Sequence, residues 1–312
     1  MYRLLAAAVM AVSSEAAIAQ TTPETAGQSA NLPLPRAADG RPDMQGVWIA
    51  SFLTTLERPP GVPLAVKPED AARHVAMVRS MIPEVVDPDF YTADVRELAE
   101  VRGELRSSLL VEPADGQLPF TPAGLAITSK FRIDDETPPA NPEERFTSER
   151  CLTAFGQAPY RPFPSIFPMQ LVQTPAAVLL VDEASGARVI DMAGRAPPSE
   201  VRSYEGYSRG RWEGDTLVIE TTHLRADDPL RIIIPRAMIV GPDSKVIERM
   251  QMLGPDRILF QFTIEDPAYY SGPWLAEYEF RRAPMRLMET ACHEGNYALV
   301  NMLRAGQIRD RR

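Results

Sequence analysis

From Met169 to Arg282 the chain reads as a succession of short extended runs separated by turn residues, and this pattern restricts the fold more than any other feature. Its clearest instance is Tyr207 to Leu224, YSRGRWEGDTLVIETTHL. Glu213-Gly214-Asp215 breaks that stretch into two β-rich runs, and Gly beside Asp between such runs is a hairpin signal. Strand side chains alternate, so Leu217, Ile219, Thr221 and His223 fall on one face and Val218, Glu220 and Thr222 on the other. The first face is the inward one on this reading, which points His223 into the interior. Further strands are expected at Met169–Gln173, Val178–Glu183, Ala187–Met192, Lys245–Leu253, Arg257–Glu265, Trp274–Arg282 and Arg286–Cys292. Ser185-Gly186 and Gly254-Pro255-Asp256 have the composition of hairpin turns. With a strand at Trp48 the total is roughly ten, and short sequential connections imply an antiparallel meander closed as a barrel or packed as a sandwich.

The residues before this region organise differently. An Arg3 start, an apolar run from Leu4 to Val12 and an Ala17-Ile18-Ala19 site make residues 1–19 a secretory signal peptide. Residues 20–40 are rich in Thr, Ser, Pro and Ala and read as a flexible leader. Residues 41–312 form a single β-barrel domain, with a helical insertion near 67–110. Pro68-Glu69-Asp70 suits a helix start and predicts a helix to about Met81. His74 lies on it beside Arg73 and reads as a surface histidine. Thr92 caps an expected second helix, with Val95, Leu98, Val101, Leu105 and Leu109 at helical spacing. A short helix is expected after Thr121-Pro122. Another should cover the tail, where Leu299, Met302 and Leu303 share a face packed across the barrel.

The net charge of −9 gives no broad basic surface for nucleic acid. The longest apolar run is too short to span a bilayer. A periplasmic or secreted protein follows, and in an oxidising compartment the cysteine pair, Cys151 and Cys292, favours a disulfide over two buried thiols.

Two resemblances add to this. Gly46-Val47-Trp48 at the start of a first strand resembles the lipocalin signature, in which the tryptophan closes one end of a β-barrel. The expected fold is therefore all-β, a lipocalin-like antiparallel barrel with flanking helices. Leu118-Pro119-Phe120-Thr121-Pro122, Ser148-Glu149-Arg150-Cys151-Leu152, Gln170 to Pro175, Gly210 to Leu217, Glu265-Asp266-Pro267, Pro273-Trp274 and Ala291 to Tyr297 form a second set of blocks. Their order and spacing resemble a large, uncharacterised family of exported bacterial proteins. The resemblance covers about Trp48 to Gly306. The chain departs from it at His223, where the family has Asn, and at Ala196-Pro197, where the family has Pro-His.

Candidate catalytic residues are His223, His293 and Glu294. A histidine facing a cavity can act as general acid or base near neutrality. The other reading of each is structural: a hydrogen-bonded core histidine, and a helix cap. Trp48, Tyr207, Arg211 and Trp212 are candidate ligand-binding residues, weighed against packing and ion pairing. His74, His223 and His293 form no close ligand pair, so neither metal nor other cofactor is expected. Three functions fit. The first is an exported lyase, isomerase, hydratase or cyclase acting on a hydrophobic small molecule inside the barrel. The second is a carrier of such a molecule, and the third a structural envelope protein.

Overall fold

The computed structural model describes residues 33–81, 98–130, 137–154, 156–162, 168–184, 186–194, 196–233 and 236–311. The expected signal peptide, most of the leader, and Thr92 lie outside the described residues. The strands are β1 (Gly46–Ile49), β2 (Ala65–Val66), β3 (Glu100–Val101), β4 (Glu104–Arg106), β5 (Leu110–Glu112), β6 (Met169–Gln173), β7 (Ala177–Asp182), β8 (Gly186–Asp191), β9 (Tyr207–Glu213), β10 (Thr216–Thr222), β11 (Leu230–Ile233), β12 (Arg236–Ile239), β13 (Lys245–Gly254), β14 (Arg257–Glu265) and β15 (Trp274–Arg282). The α-helices are α1 (Ala71–Ser80), α2 (Pro122–Thr128) and α3 (Tyr297–Arg309).

Nine strands close into a barrel in the order β1-β6-β7-β8-β9-β10-β13-β14-β15, because β1 pairs with both β6 and β15. Closure removes the unpaired edges that an open sheet would present. The tenth strand of the sheet, β5, pairs with β15 from outside. The eight barrel strands expected between Met169 and Arg282 are all present. One pairing differs from the expected antiparallel meander: β8 and β9 are parallel, with Ile190 opposite Ser208. The connection from Met192 to Gly206 carries Pro197-Pro198 and is far too long for a hairpin. It returns the chain along the barrel before β9 starts in the same direction as β8.

Three other expectations are corrected. Of the residues expected as a second helix, Thr92 and Val95 lie outside the described residues, and those from Leu98 to Leu109 contain β3 and β4 and lead into β5. Arg102 and Gly103 both have positive φ, 51° and 84°, and make the two-residue turn between Val101 and Glu104. Such a turn joins strands and cannot continue a helix. Arg286–Cys292 forms no strand. Pro284, separated from β15 by one residue, offers no N–H to a ladder. In addition, β11 and β12 form a hairpin between β10 and β13 that the pattern did not announce. His74 is buried rather than exposed, because His74 and Val78 share the inward face of α1, with His74 Nε2 3.3 Å from the Ser107 carbonyl.

The barrel has a sealed end and a charged end. At the sealed end Trp48 is fully buried, and its Nε1 donates to the Met44 carbonyl at 2.9 Å. The Arg282 guanidinium lies 4.3 Å from its ring centroid and donates to the carbonyls of Gln45 and Pro255. Gly46, at φ +135°, leaves the space that Arg282 occupies, since a Cβ there would stand 2.1 Å from Nη1. The last residues of the leader are anchored at this end, where Arg36 makes a bidentate pair with Asp215 at 2.6 and 2.7 Å. The middle is filled by aromatic side chains: Phe260 sits 5.0 Å from Tyr278 and 5.6 Å from Phe280, and Phe262 is 5.6 Å from Trp274.

The opposite end meets the described residues 147–154 and 156–161, where the Tyr160 N–H reaches Glu248 and the Thr147 and Gln157 side chains reach Asp228. Cys151 is disulfide-bonded to Cys292 across 141 residues of sequence, which ties this segment to the stretch after β15. Closing a loop of this size contributes up to about 5 kcal/mol in the chain-entropy model. Replacing both cysteines by serine is expected to lower the unfolding free energy read from urea denaturation by no more than that bound and to speed amide exchange across residues 147–161. Unchanged exchange there would remove the disulfide from any part in holding the cover.

Candidate functional site

The charged end owes its character to residues that point inward where an apolar residue would be usual. On β8, Arg188 shares the inward phase with Ile190, and on β13, Glu248 shares it with Val246 and Met250. Arg188 is 3% exposed and Glu248 is 0% exposed. They make a two-pronged ion pair, with Nη1 2.9 Å from Oε1 and Nη2 on Oε2. Arg188 also donates to Ser208 Oγ at 3.0 Å and Thr221 Oγ1 at 2.8 Å. Burial works against the charge on Arg188, but Glu248 outweighs it and holds the guanidinium above its ordinary pKa.

The covering segment completes the cluster. The Tyr160 backbone N–H donates to Glu248 Oε1 at 2.8 Å, and the Tyr278 hydroxyl donates to the Tyr160 carbonyl at 2.8 Å. Asp228 Oδ2 accepts from Thr147 Oγ1, Gln157 Nε2 and Arg231 Nη1, at 3.2, 3.2 and 2.9 Å. Arg161 donates to the Ala154 carbonyl at 2.6 Å. Burial, and then the like charge of Arg231, pull its pKa down to about 9, so it stays cationic at neutral pH. Burial raises the Tyr160 and Tyr278 hydroxyls far above their ordinary value, so both remain neutral donors.

Glu205 stands apart within this group. Thr153 Oγ1 donates to its Oε1. Its Oε2 is shielded from water, and among the described residues no hydrogen-bond partner meets it. Burial is the largest influence on this carboxyl and raises its pKa, with Asp182 adding to the rise while Thr153, Arg188 and Arg231 oppose it. Arg231, 2% exposed, likewise has an Nε with no partner among the described residues. A half-buried carboxyl with one shielded oxygen and a raised pKa, beside buried cations, is the arrangement from which acid/base sites are built.

The residues singled out in the sequence lie elsewhere. Leu217, Ile219 and Thr221 do face inward, but the alternation ends one residue before His223. At φ +61° His223 has left the strand conformation, and its ring turns to Thr222 Oγ1, at 2.7 Å, and to the edge of Tyr207, at 6.2 Å. Both belong to the outer phase of their strands, so the inward reading of His223 is corrected. Tyr207 donates from its hydroxyl to Asp191 Oδ2 at 3.3 Å. His293 and Glu294 are exposed in the turn before α3. Arg211 is exposed and pairs with Glu213, which also binds Arg249. Trp212 packs half-buried at the sealed end, with Arg41 5.8 Å from its ring centroid. These residues do not converge. Among the described residues no group of three His, Cys, Asp or Glu side chains could hold a metal ion.

No protein-family model, curated protein or solved structure matches this chain. The site therefore has to be read from its own chemistry. Removing one partner of the buried pair, as in Arg188→Met, is expected to cost about 3–5 kcal/mol, because it strands the other charge in a dry interior. The double variant Arg188→Met/Glu248→Leu should cost less than the sum of the two singles, as measured by urea denaturation.

Proposed function

We propose that this chain is an exported enzyme that carries out acid/base chemistry on a small molecule at the charged end of the barrel, with Glu205 as the proton carrier. The observation that carries this reading is the shielded, partnerless Glu205 Oε2 among buried guanidinium groups. A carboxyl tuned upward toward the working pH is a better base than an ordinary carboxylate and remains able to give the proton back. The filled aromatic middle argues for a ligand bound at this end rather than deep inside. The N-terminal signal pattern and the disulfide support export. No helix among the described residues is long and apolar enough to cross a membrane. Lyase, isomerase, hydratase and cyclase chemistry all remain within reach of one proton carrier. His223, beside Tyr207 on the outer face, is the competing proton carrier.

The same filled middle favours a second reading, in which the barrel is structural and its charged end is only a plug. The two readings part in native mass spectrometry of the mature protein purified from its own cells. The enzyme reading expects a small molecule that is chemically altered with the wild type and with His223→Ala, but unaltered with Glu205→Gln. The same unaltered molecule on all three proteins indicates a carrier. No molecule on any of them indicates the plug.

Stability gives a test that needs no substrate. Because the folded-state pKa of Glu205 is raised above the ordinary 4.5, its neutral form stabilises the fold below that value. That stability is lost as pH rises through the folded pKa. Glu205→Gln keeps an acceptor for Thr153 and carries no charge. It is expected to melt higher than the wild type at about pH 8, with the gap closing by about pH 4. A variant that melts lower at both pH values would show that the ionised carboxylate is structural.

A further inference from the structure

We propose that the group acted on at this site is an enolisable carbonyl, polarised by Arg231 while Glu205 moves the proton. The inference rests on the reading of Glu205 given above and adds the substrate's chemistry. Two atoms of the cluster are shielded from water and lack a hydrogen-bond partner among the described residues: one oxygen of a carboxyl, Glu205 Oε2, and one N–H of a guanidinium, Arg231 Nε. Other donors and acceptors here are engaged. Arg231 Nη1 is on Asp228, Arg188 is on Glu248, Ser208 and Thr221, and the Tyr278 hydroxyl is on the Tyr160 carbonyl. The Arg231 side chain is held by Asp228, so its free N–H has a fixed direction. A substrate that satisfies both atoms must accept a hydrogen bond at one point and exchange a proton at another. A carbonyl oxygen with an adjacent C–H does both.

The step balances without a further reactant. Glu205 Oε2, as carboxylate, takes the proton from the carbon beside the carbonyl. The C–H electron pair becomes the new C=C bond, and the C=O π pair moves onto the oxygen. There the guanidinium N–H and the nearby cationic charge of Arg161 stabilise the enolate. Glu205 then returns a proton to the same carbon or to a conjugated one, and the second outcome is an isomerisation. A fixed donor aimed at developing oxyanion charge in a dry site is the strongest single device available to such a reaction. Three buried carboxyls near the site, Asp182, Asp228 and Glu248, and the half-buried Glu205 disfavour a substrate that brings a full negative charge of its own. A neutral ketone or aldehyde fits this cluster better than a carboxylate.

Deuterium incorporation tests the proposal with the substrate still unidentified. A small-molecule extract of the source cells is incubated in D2O with the full mature protein, and compounds that gain deuterium are read by mass spectrometry. Hydroxylamine then marks which of them are carbonyl compounds. The expected result is a small set of oxime-forming compounds deuterated by the wild type. Labelling should fall by at least about 100-fold with Glu205→Gln, the lower range for a lost acid/base group. Arg231→Lys keeps the charge but changes the donor geometry, and should cut labelling while retaining the wild-type circular dichroism. Labelled compounds that form no oxime would overturn the carbonyl assignment and leave the acid/base reading standing. Labelling unaffected by Glu205→Gln, or none at all, would overturn both.

Discussion

The Arg188–Glu248 pair is the constraint around which the charged end is built. Two charges held in the dry interior of a barrel survive only if their remaining hydrogen-bonding atoms are also satisfied. The local architecture answers that demand from several directions. Ser208 and Thr221 sit opposite each other on β9 and β10, and their hydroxyls lie 2.8 Å apart beneath the guanidinium. Tyr160 brings a backbone N–H from the covering segment to Glu248. That segment is in turn fixed by Tyr278 of β15 and by the disulfide. Removal of the pair would leave the cover without its central anchor, so barrel and cover form one cooperative unit.

The two ends solve different problems with the same residue type. At the sealed end Arg282 lies across Trp48 and satisfies backbone carbonyls that the chain leaves open as it enters β1. At the charged end, buried arginines face carboxylates. A stacked guanidinium over a tryptophan contributes modestly and closes a gap. A buried guanidinium beside a shielded carboxyl instead sets up a field. The asymmetry is chemical as well as geometric, and it is why the site is assigned to one end of a barrel whose middle is packed.

Much of the barrel was legible because period-2 alternation is clear in β7, β8, β9 and β13, while β10, β14 and β15 were legible as β-rich runs between turn residues. The inward phase also contained a signal of a different kind. Arg188 in phase with Ile190, Glu248 in phase with Val246 and Met250, and Asp182 in phase with Val178 and Leu180 all mark charges placed inside. Glu205, Arg161 and Asp228 lie in connections, where no period indicates a direction. Glu205 and Arg161 meet the cluster only through residues distant in sequence, and Asp228 adds one local contact, to Arg231 three residues on. The apparent helix near Leu98 to Leu109 illustrates the opposite failure. Apolar residues three and four apart fit a helix face, but they also fit short strands when a turn shifts the phase, and Arg102-Gly103 supplies that turn. His223 failed for a related reason: alternation does not extend past the point where the backbone turns left-handed.

The cluster also bears on why a fold of this kind would keep so poor an arrangement for stability. Leaving a buried polar atom without a partner costs about 1–3 kcal/mol, a large part of a domain's net stability. Here an acid oxygen and a guanidinium N–H both stand in that condition within one cluster, while neighbouring polar atoms are satisfied down to single hydroxyls. A barrel needing only a plug would be more stable with apolar residues in these two places. Buried polar atoms without a hydrogen-bond partner also occur elsewhere, at Glu279 Oε2 and at the Nε of Arg106, Arg145 and Arg257, but Glu279 Oε2 lies 3.5 Å from Arg257 Nη1, whereas Glu205 makes no ion pair among the described residues, and an acid left in that condition is free to meet a substrate. The cost therefore argues for use, and it falls on the two residues whose chemistry, an acid that can give and take a proton and a donor of fixed direction, is complementary.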